Sequence, residues 1–292
     1  MASLYTHKEQ NILKSWLLIF LFIGVVIGFG FAFSYIYNDS SILVIAIVIS
    51  LVSSLSSYYY SDTVALAVSK AQKADERIYK EVHNILENLS ITAGVKKPRL
   101  YIVESPQLNA FATGRNEENA AIAVTTGLLE KLDRSELEGV IAHELAHIGN
   151  KDILVSTIVV ILVGLVAIVS DIFLRSLWFR DRGNSKSGGA LILIGVALAI
   201  LAPIVGTIIR LAVSRKREFL ADATGAILTR YPEGLASALR KISADSTPLK
   251  SANNGTAHLW LADPFKKKRG LHTLFMTHPP IQQRIDALIK RN

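Results

Sequence analysis

A chain of 292 residues that is half apolar, with a formal net charge of +8, has the length of one or two soluble domains or of a compact membrane protein. It contains no cysteine, which excludes disulfides and thiolate metal sites, so any bound metal must be held by histidine and carboxylate. The apolar residues gather in four long runs that a soluble core does not need, so the positive charge points to a lipid bilayer surface rather than to nucleic acid.

Residues 1–14 are polar, with Lys8 and Lys14, and residues 15–37 then run 23 positions without a charge. That is long enough to cross about 30 Å of hydrocarbon. A signal peptide would have an apolar region of about 7–15 residues and a small-residue cleavage site. This run is longer and ends in aromatic residues, which favours an uncleaved anchor. Residues 38–41 form a tight polar connection with Asp39 and no base. Residues 42–57 are a second apolar stretch, shorter and serine-rich. Tyr58, Tyr59 and Tyr60 close it as an interfacial aromatic belt would. Residues 61–89 are amphipathic, with Ile78, Val82, Ile85, Leu86 and Leu89 at helical spacing. They read as a soluble helix on the domain that follows, with His83 an ordinary surface histidine.

Ala93-Gly94 breaks this helix. Residues 99–103, 109–114 (NAFATG) and 120–125 read as strands, the last ending at Gly127. Proteases hold extended substrates against an edge strand through backbone hydrogen bonds, although the same strands also serve as core.

Ser135 and Glu138 form S-x-x-E, a capping-box pattern that predicts a helix start. Residues 140–149 then read V-I-A-H-E-L-A-H-I-G. Val140, Ile141, Leu145 and Ile148 supply an apolar face, and Gly149-Asn150 a stop. His143 and His147 are four apart, about 400° of helical rotation, so their imidazoles stack on one face. Two neutral imidazoles in this arrangement can share one zinc ion. Glu144 lies between them, placed to take a proton from a water that the metal activates. This is the H-E-x-x-H pattern of zinc metalloproteases.

A third apolar run, 153–174, is interrupted by Asp171. A polar segment, 175–189, has four bases and one acid, and a fourth run, 190–211, carries Pro203, a predicted kink. Residues 214–217 (SRKR) return the chain to water. In the helix predicted over 214–228, Glu218 and Asp222 are again four apart. Residues 246–270 are irregular and polar, ending in the basic run 266–269. They read as a solvated or membrane-facing loop, with His258 and His272 lacking partners at ligand spacing. Residues 277–280 (THPP) form a turn, and 281–289 a terminal helix containing Arg284.

A catalytic zinc needs a third protein ligand and an open position. A histidine ten residues after His143 would fall at Ile153, which excludes the metzincin pattern. Asp152 is five residues after His147 and should rotate off the metal face. Glu218 is the better candidate, with Asp222 one turn on to accept a hydrogen bond from the outer nitrogen of a ligand histidine. A solvated helix face paired with neighbouring arginines fits the same spacing equally well. If Glu218 meets the two histidines, the intervening chain must cross the membrane an even number of times, and two apolar runs satisfy this. Residues 61–151 carry eleven Lys/Arg and the 38–41 connection none, which places the active site on the cytoplasmic face of the cell inner membrane. The basic 175–189 segment conflicts with that rule: either the second hairpin does not fully span, or the rule is overridden there.

Taken in order, NAFATG (109–114), HELAH (143–147), SRKREFLAD (214–222) and THPP (277–280) followed by Arg284 resemble the HtpX-type membrane zinc metalloproteases, relatives of the CAAX prenyl proteases. The resemblance covers nearly the whole chain. It implies an α+β, mostly helical integral membrane protein: four apolar hairpin helices plus a zincin-like metalloprotease domain with a small β-sheet. The expected parts are an N-terminal hairpin (1–60), a first protease part (61–152), a second hairpin (153–213) and a second protease part (214–292). The resemblance implies one zinc on His143, His147 and Glu218, with Glu144 catalytic. It also implies cytoplasmic-face hydrolysis of misfolded or membrane polypeptides. Asn109 and Phe111 would belong to the substrate strand, and His278 would stabilise the oxyanion or cap the zinc at rest. Two other readings stand beside it. An intramembrane protease is disfavoured because Glu136, Glu138 and Lys151 flank the motif. A membrane metal transporter or zinc scaffold is disfavoured because the first two apolar runs carry no ionisable group.

Overall fold

A computed structural model describes residues 4–160, 215–252, 256–265 and 279–289. The expectations placed on the apolar runs beyond residue 160, on 175–189, on 266–269, on His272 and on His278 lie outside the described residues.

Two apolar helices open the chain, α1 (Leu4–Tyr37) and α2 (Ser41–Val68). Asn38 turns the corner between them with φ 49°, a left-handed conformation that asparagine tolerates. The window Asn11–Gly28 is long and apolar enough to span a bilayer. α2 passes only as two segments bent by 73° between Ser56 and Tyr58. Its serines bond back to the preceding turn, Ser50 to the Ile47 carbonyl and Ser53 to that of Ile49. Such back-bonding bends helices. The described residues therefore contain one clear spanning helix, and the expected four are not established by them. α2 also continues past residue 60, so the boundary expected there falls inside a helix.

A four-stranded sheet follows in the order β1-β2-β4-β3, with β1 Gln72–Lys73, β2 Arg99–Val103, β3 Ala110–Thr113 and β4 Ala121–Thr125. β2 and β4 are parallel, and the outer pairs are antiparallel. Alternation along β4 sends Ile122 and Val124 to one buried cluster and Ala121 and Ala123 to another, so both faces of the sheet are covered. The two-residue β1 carries no hydrophobic alternation and is not readable from the sequence. Gly127 does not close a strand. Thr125 caps α4 (Thr126–Lys131), and a Cβ on Gly127 would lie 2.1 Å from the Pro106 carbonyl oxygen.

On one face the sheet meets α3 (Lys80–Ala93), α5 (Arg134–Gly149), α8 (Pro232–Ala244) and α9 (Ile281–Ile289) in a single core. α3 ends where predicted, at Gly94 with φ 64°. Its apolar stripe is Val82, Ile85, Leu86 and Leu89, whereas Ile78 is 76% exposed and precedes the helix. His83 is half-buried rather than a surface residue. Far from being a solvated loop, the chain at 259–262 is buried. Trp260 meets the Phe111 ring edge-on at 4.7 Å, and His258 Nε2 lies 2.8 Å from the Ser156 carbonyl oxygen. Leu261 N–H donates to the Ala110 carbonyl, covering part of the outer edge of β3.

Candidate metal centre

The α5 helix starts two residues earlier than the S-x-x-E pattern indicated. Asp133 is the N-cap and accepts from Glu136 N–H at 2.9 Å, while Glu136 Oε2 accepts from Asp133 N–H at 2.9 Å. Ser135 already lies inside the first turn, its hydroxyl donating to Asp133. Both tetrads have box spacing. The earlier one wins because Glu136 is also held by Lys241 Nζ and the Ser237 hydroxyl, each at 2.6 Å, from α8. That tie fixes the start of α5 against α8, and a Cβ on Gly139 would lie 2.7 Å from Leu235 N.

Seven residues further on, His143 and His147 face α7 (Arg215–Thr229), which begins with Glu218 in its first turn. His143 Nε2 is 3.2 Å from His147 Nε2, 3.9 Å from Glu218 Oε2, and His147 Nε2 is 3.4 Å from Glu218 Oε1. One ligand atom from each residue falls within 4.8 Å of the others. This is the one group of three histidine or carboxylate side chains at metal-holding distance among the described residues.

Each imidazole is oriented from behind by a carboxylate. Asp222 Oδ1 is 3.0 Å from His143 Nδ1, the arrangement that one of the two readings of its spacing allowed. Asp152 Oδ2 is 3.0 Å from His147 Nδ1, a role that the sequence reading missed. Rotation off the metal face requires the helix to continue past Asn150. The chain instead reverses at Lys151, φ 58°, and swings Asp152 back under His147. Carboxylates on both outer nitrogens orient the rings and leave both Nε2 atoms facing each other and Glu218. The donor set, two imidazoles and a carboxylate in a buried cluster without thiolate, fits one zinc-like divalent ion.

Arg284 on α9 completes the shell. It is fully buried and forks onto Asp222, Nε to Oδ2 at 2.8 Å and Nη2 to Oδ1 at 2.7 Å. Its Nη1 lies 3.5 Å from Glu218 Oε2. The sequence held a signal: Arg284 sits among Ile281, Ile285 and Leu288, on the apolar stripe of its helix, where a guanidinium requires a buried carboxylate.

The charges sort the two histidines. Burial and the adjacent Arg284 push His143 down to about 4, so its ring is neutral near pH 7. Burial alone would lower His147 too, but the Asp152 hydrogen bond and the charges of Glu218, Asp152 and Glu144 outweigh it and raise it to about 9. Burial opposes ionisation of Asp222, yet Arg284 and His143 hold it down to about 2. Glu144 is 3% exposed, between the two histidines. Asn109 and Phe111 are fully buried. The Asn109 amide bonds Gln107 and Ala262, so any contact of this segment with a substrate would run through backbone groups.

A family model described as peptidase family M48 matches residues 76–292. A "Protease HtpX homolog" of Caldanaerobacter subterraneus subsp. tengcongensis is 45% identical over 295 residues, covering 98% of this chain and 97% of its own. Another, from Pyrococcus furiosus, is 45% identical over 252 residues, covering 85% and 86%. The crystal structure of S. mikatae Ste24p matches with a TM-score of 0.52 at 17% identity, over 98% of this chain and 67% of that one. At that identity the likeness concerns the fold.

Proposed function

Because the chain belongs to peptidase family M48 and is a membrane metalloprotease, we propose that it is a zinc endopeptidase cutting misfolded or membrane polypeptides at the cytoplasmic face. The observation that carries this is the convergence of His143, His147 and Glu218, with Asp222 and Asp152 behind the two rings. These three side chains would hold one zinc ion. When bound, the ion would supply Lewis acidity and lower the pKa of a water toward neutrality.

The chain's own residues do the rest. Glu144 accepts the proton of the attacking water and delivers it to the departing amine. No covalent enzyme intermediate is needed. Buried carboxylates orient both imidazoles, and Arg284 keeps Asp222 ionised for that purpose. His278 would either stabilise the oxyanion or cap the metal at rest. β3 is an edge strand. The antiparallel alternation that turns Phe111 toward β4 turns the Ala112 N–H and C=O outward, where an extended peptide could pair with them.

The protease domain in two halves, each preceded by an apolar hairpin, belongs to this proposal, with the first hairpin running to Val68. One observation favours both halves lying on the same side of the membrane. Asn11 of α1 meets Asn150 and Asp152, and Leu18, Ile19 and Phe22 share a buried cluster with Leu154, Val155, Ile158 and Val159. α1 and the helix at 152–160 (α6) thus leave the metal site in the same direction.

The test is cleavage of an unfolded or membrane-tethered polypeptide by purified protein stripped with chelator and resupplied with Zn²⁺. Cleavage should return in the parent. Glu144→Gln should keep zinc and lose about 10²- to 10⁴-fold in rate, and Glu218→Ala should lose zinc. A Glu144→Gln variant that cleaves at the parental rate would show the base to be wrong.

A further inference from the structure

The metal centre is buttressed from the membrane anchor. Asn11 lies on α1, at the start of the window that can span a bilayer, and its side chain is 3% exposed. An amide there would ordinarily be hydrated. Instead Nδ2 donates to Asp152 Oδ1 at 2.7 Å and to the Asn150 carbonyl at 3.1 Å. The other oxygen of the same carboxylate is the one 3.0 Å from His147 Nδ1.

The second contact matters as much as the first. Asn150 is the C-cap of α5, and Lys151 makes the left-handed turn that brings Asp152 under His147. One amide therefore spans both ends of that turn. The carboxylate can no longer rotate freely. Oδ1 is taken by Asn11, with Arg217 Nη1 at 3.5 Å, and Oδ2 is left for the imidazole. Below this point α1 is clamped by Leu18, Ile19 and Phe22 against the helix at 152–160, so Asn11 is held in register with its target.

We infer that Asn11 is a positioning residue of the metal centre, acting through Asp152 on His147, and that α1 is a structural part of that centre as well as an anchor. This rests on the zinc reading above. Partners behind a ligand histidine change metal affinity by about 10- to 100-fold when removed. Asn11 stands one bond further out but restrains the carboxylate directly.

The experiment uses the full chain in detergent, with two readouts besides activity: the zinc dissociation constant by chelator competition, and the visible absorption of the Co²⁺-substituted protein. Asn11→Leu keeps the volume and apolar character of the helix and removes both donors. It should weaken zinc about tenfold and shift the cobalt spectrum. Asn11→Gln, which keeps an amide, should recover part of both. Leu18→Ala loosens α1 packing without touching the carboxylate; it should lower thermal stability but cost much less affinity and spectral shift than Asn11→Leu, because Ile19 and Phe22 still hold the register. In the Asp152→Asn background, Asn11→Leu should add little, because both act on one chain of contacts. Parental zinc affinity and spectrum in Asn11→Leu would overturn the inference. So would equal losses in Asn11→Leu and Leu18→Ala, since the effect would then be general loosening of the anchor. A folded parent that binds no zinc would overturn the zinc reading itself, and this inference with it.

Discussion

A Cβ placed on Gly225 would lie 3.0 Å from the backbone nitrogen of His143. α7 therefore rests directly on the backbone of α5 at the first metal-site histidine. Glu218, Asp222 and Gly225 are spaced four and three apart, so all three share the face of α7 that meets α5. The glycine sets the distance at which Glu218 and Asp222 approach the histidines. Gly225→Ala should push the helices apart by a few tenths of an ångström, at a cost of about 1–3 kcal/mol. Zinc affinity should fall while helix content is retained, measured by chelator competition and circular dichroism. An unchanged affinity would mean that another contact sets the spacing.

Arg284 and Asp222 are a buried pair, 0% and 2% exposed. Removing one partner strands the other charge, which costs about 3–5 kcal/mol. Arg284→Met should lower the thermal midpoint strongly. Arg284→Met combined with Asp222→Leu should regain much of the stability but not the zinc affinity, because His143 Nδ1 then lacks its acceptor. Thermal unfolding and zinc titration of the two variants separate these roles.

With His147 raised to about 9 in the metal-free site, its ring is protonated at neutral pH. A proton and a metal ion compete for it, so zinc affinity should rise by up to about tenfold per pH unit toward about 9 and then level off. His143, held near 4, should contribute nothing across the neutral range. Zinc binding at neutral pH should release about one proton per site, readable by calorimetry in buffers of different ionisation enthalpy. The same raised value stabilises the metal-free fold below the ordinary histidine range, and that contribution fades as the pH climbs through about 9. Affinity independent of pH near neutrality would mean that His147 is already neutral.

The helix start offers a plain comparison. Asp133 caps α5 and Ser135 does not. Asp133→Ala should cost about 1 kcal/mol of stability and Ser135→Ala only a few tenths, by thermal unfolding. Equal costs would return the cap to Ser135.

How much was legible follows from how local each feature is. The pairing of His143 with His147 needs only helical rotation, and a helix forms there from its own apolar spacing and a cap. The strands at 99–103, 110–113 and 121–125 are legible as short apolar runs bounded by turn residues. Glu218 with Asp222 was legible as a pair but not as a ligand, since spacing alone leaves a solvated face equally good. The exact cap was ambiguous because two tetrads had the same pattern, and Lys241 and Ser237, more than a hundred residues away, support one of them.

By itself, then, the sequence determined the chemistry available: two imidazoles beside a potential base, candidate carboxylates, no thiolate, and an N-terminal apolar run long enough to span a bilayer. Those follow from residue type and from periodicity within single helices. Only the tertiary structure decided which carboxylate serves which histidine. Asp152 reaches His147 because Lys151 adopts a left-handed turn, Arg284 reaches Asp222 across 62 residues, and Asn11 reaches Asp152 across 141. Such contacts depend on how helices pack against one another, and no periodicity within a single segment encodes that.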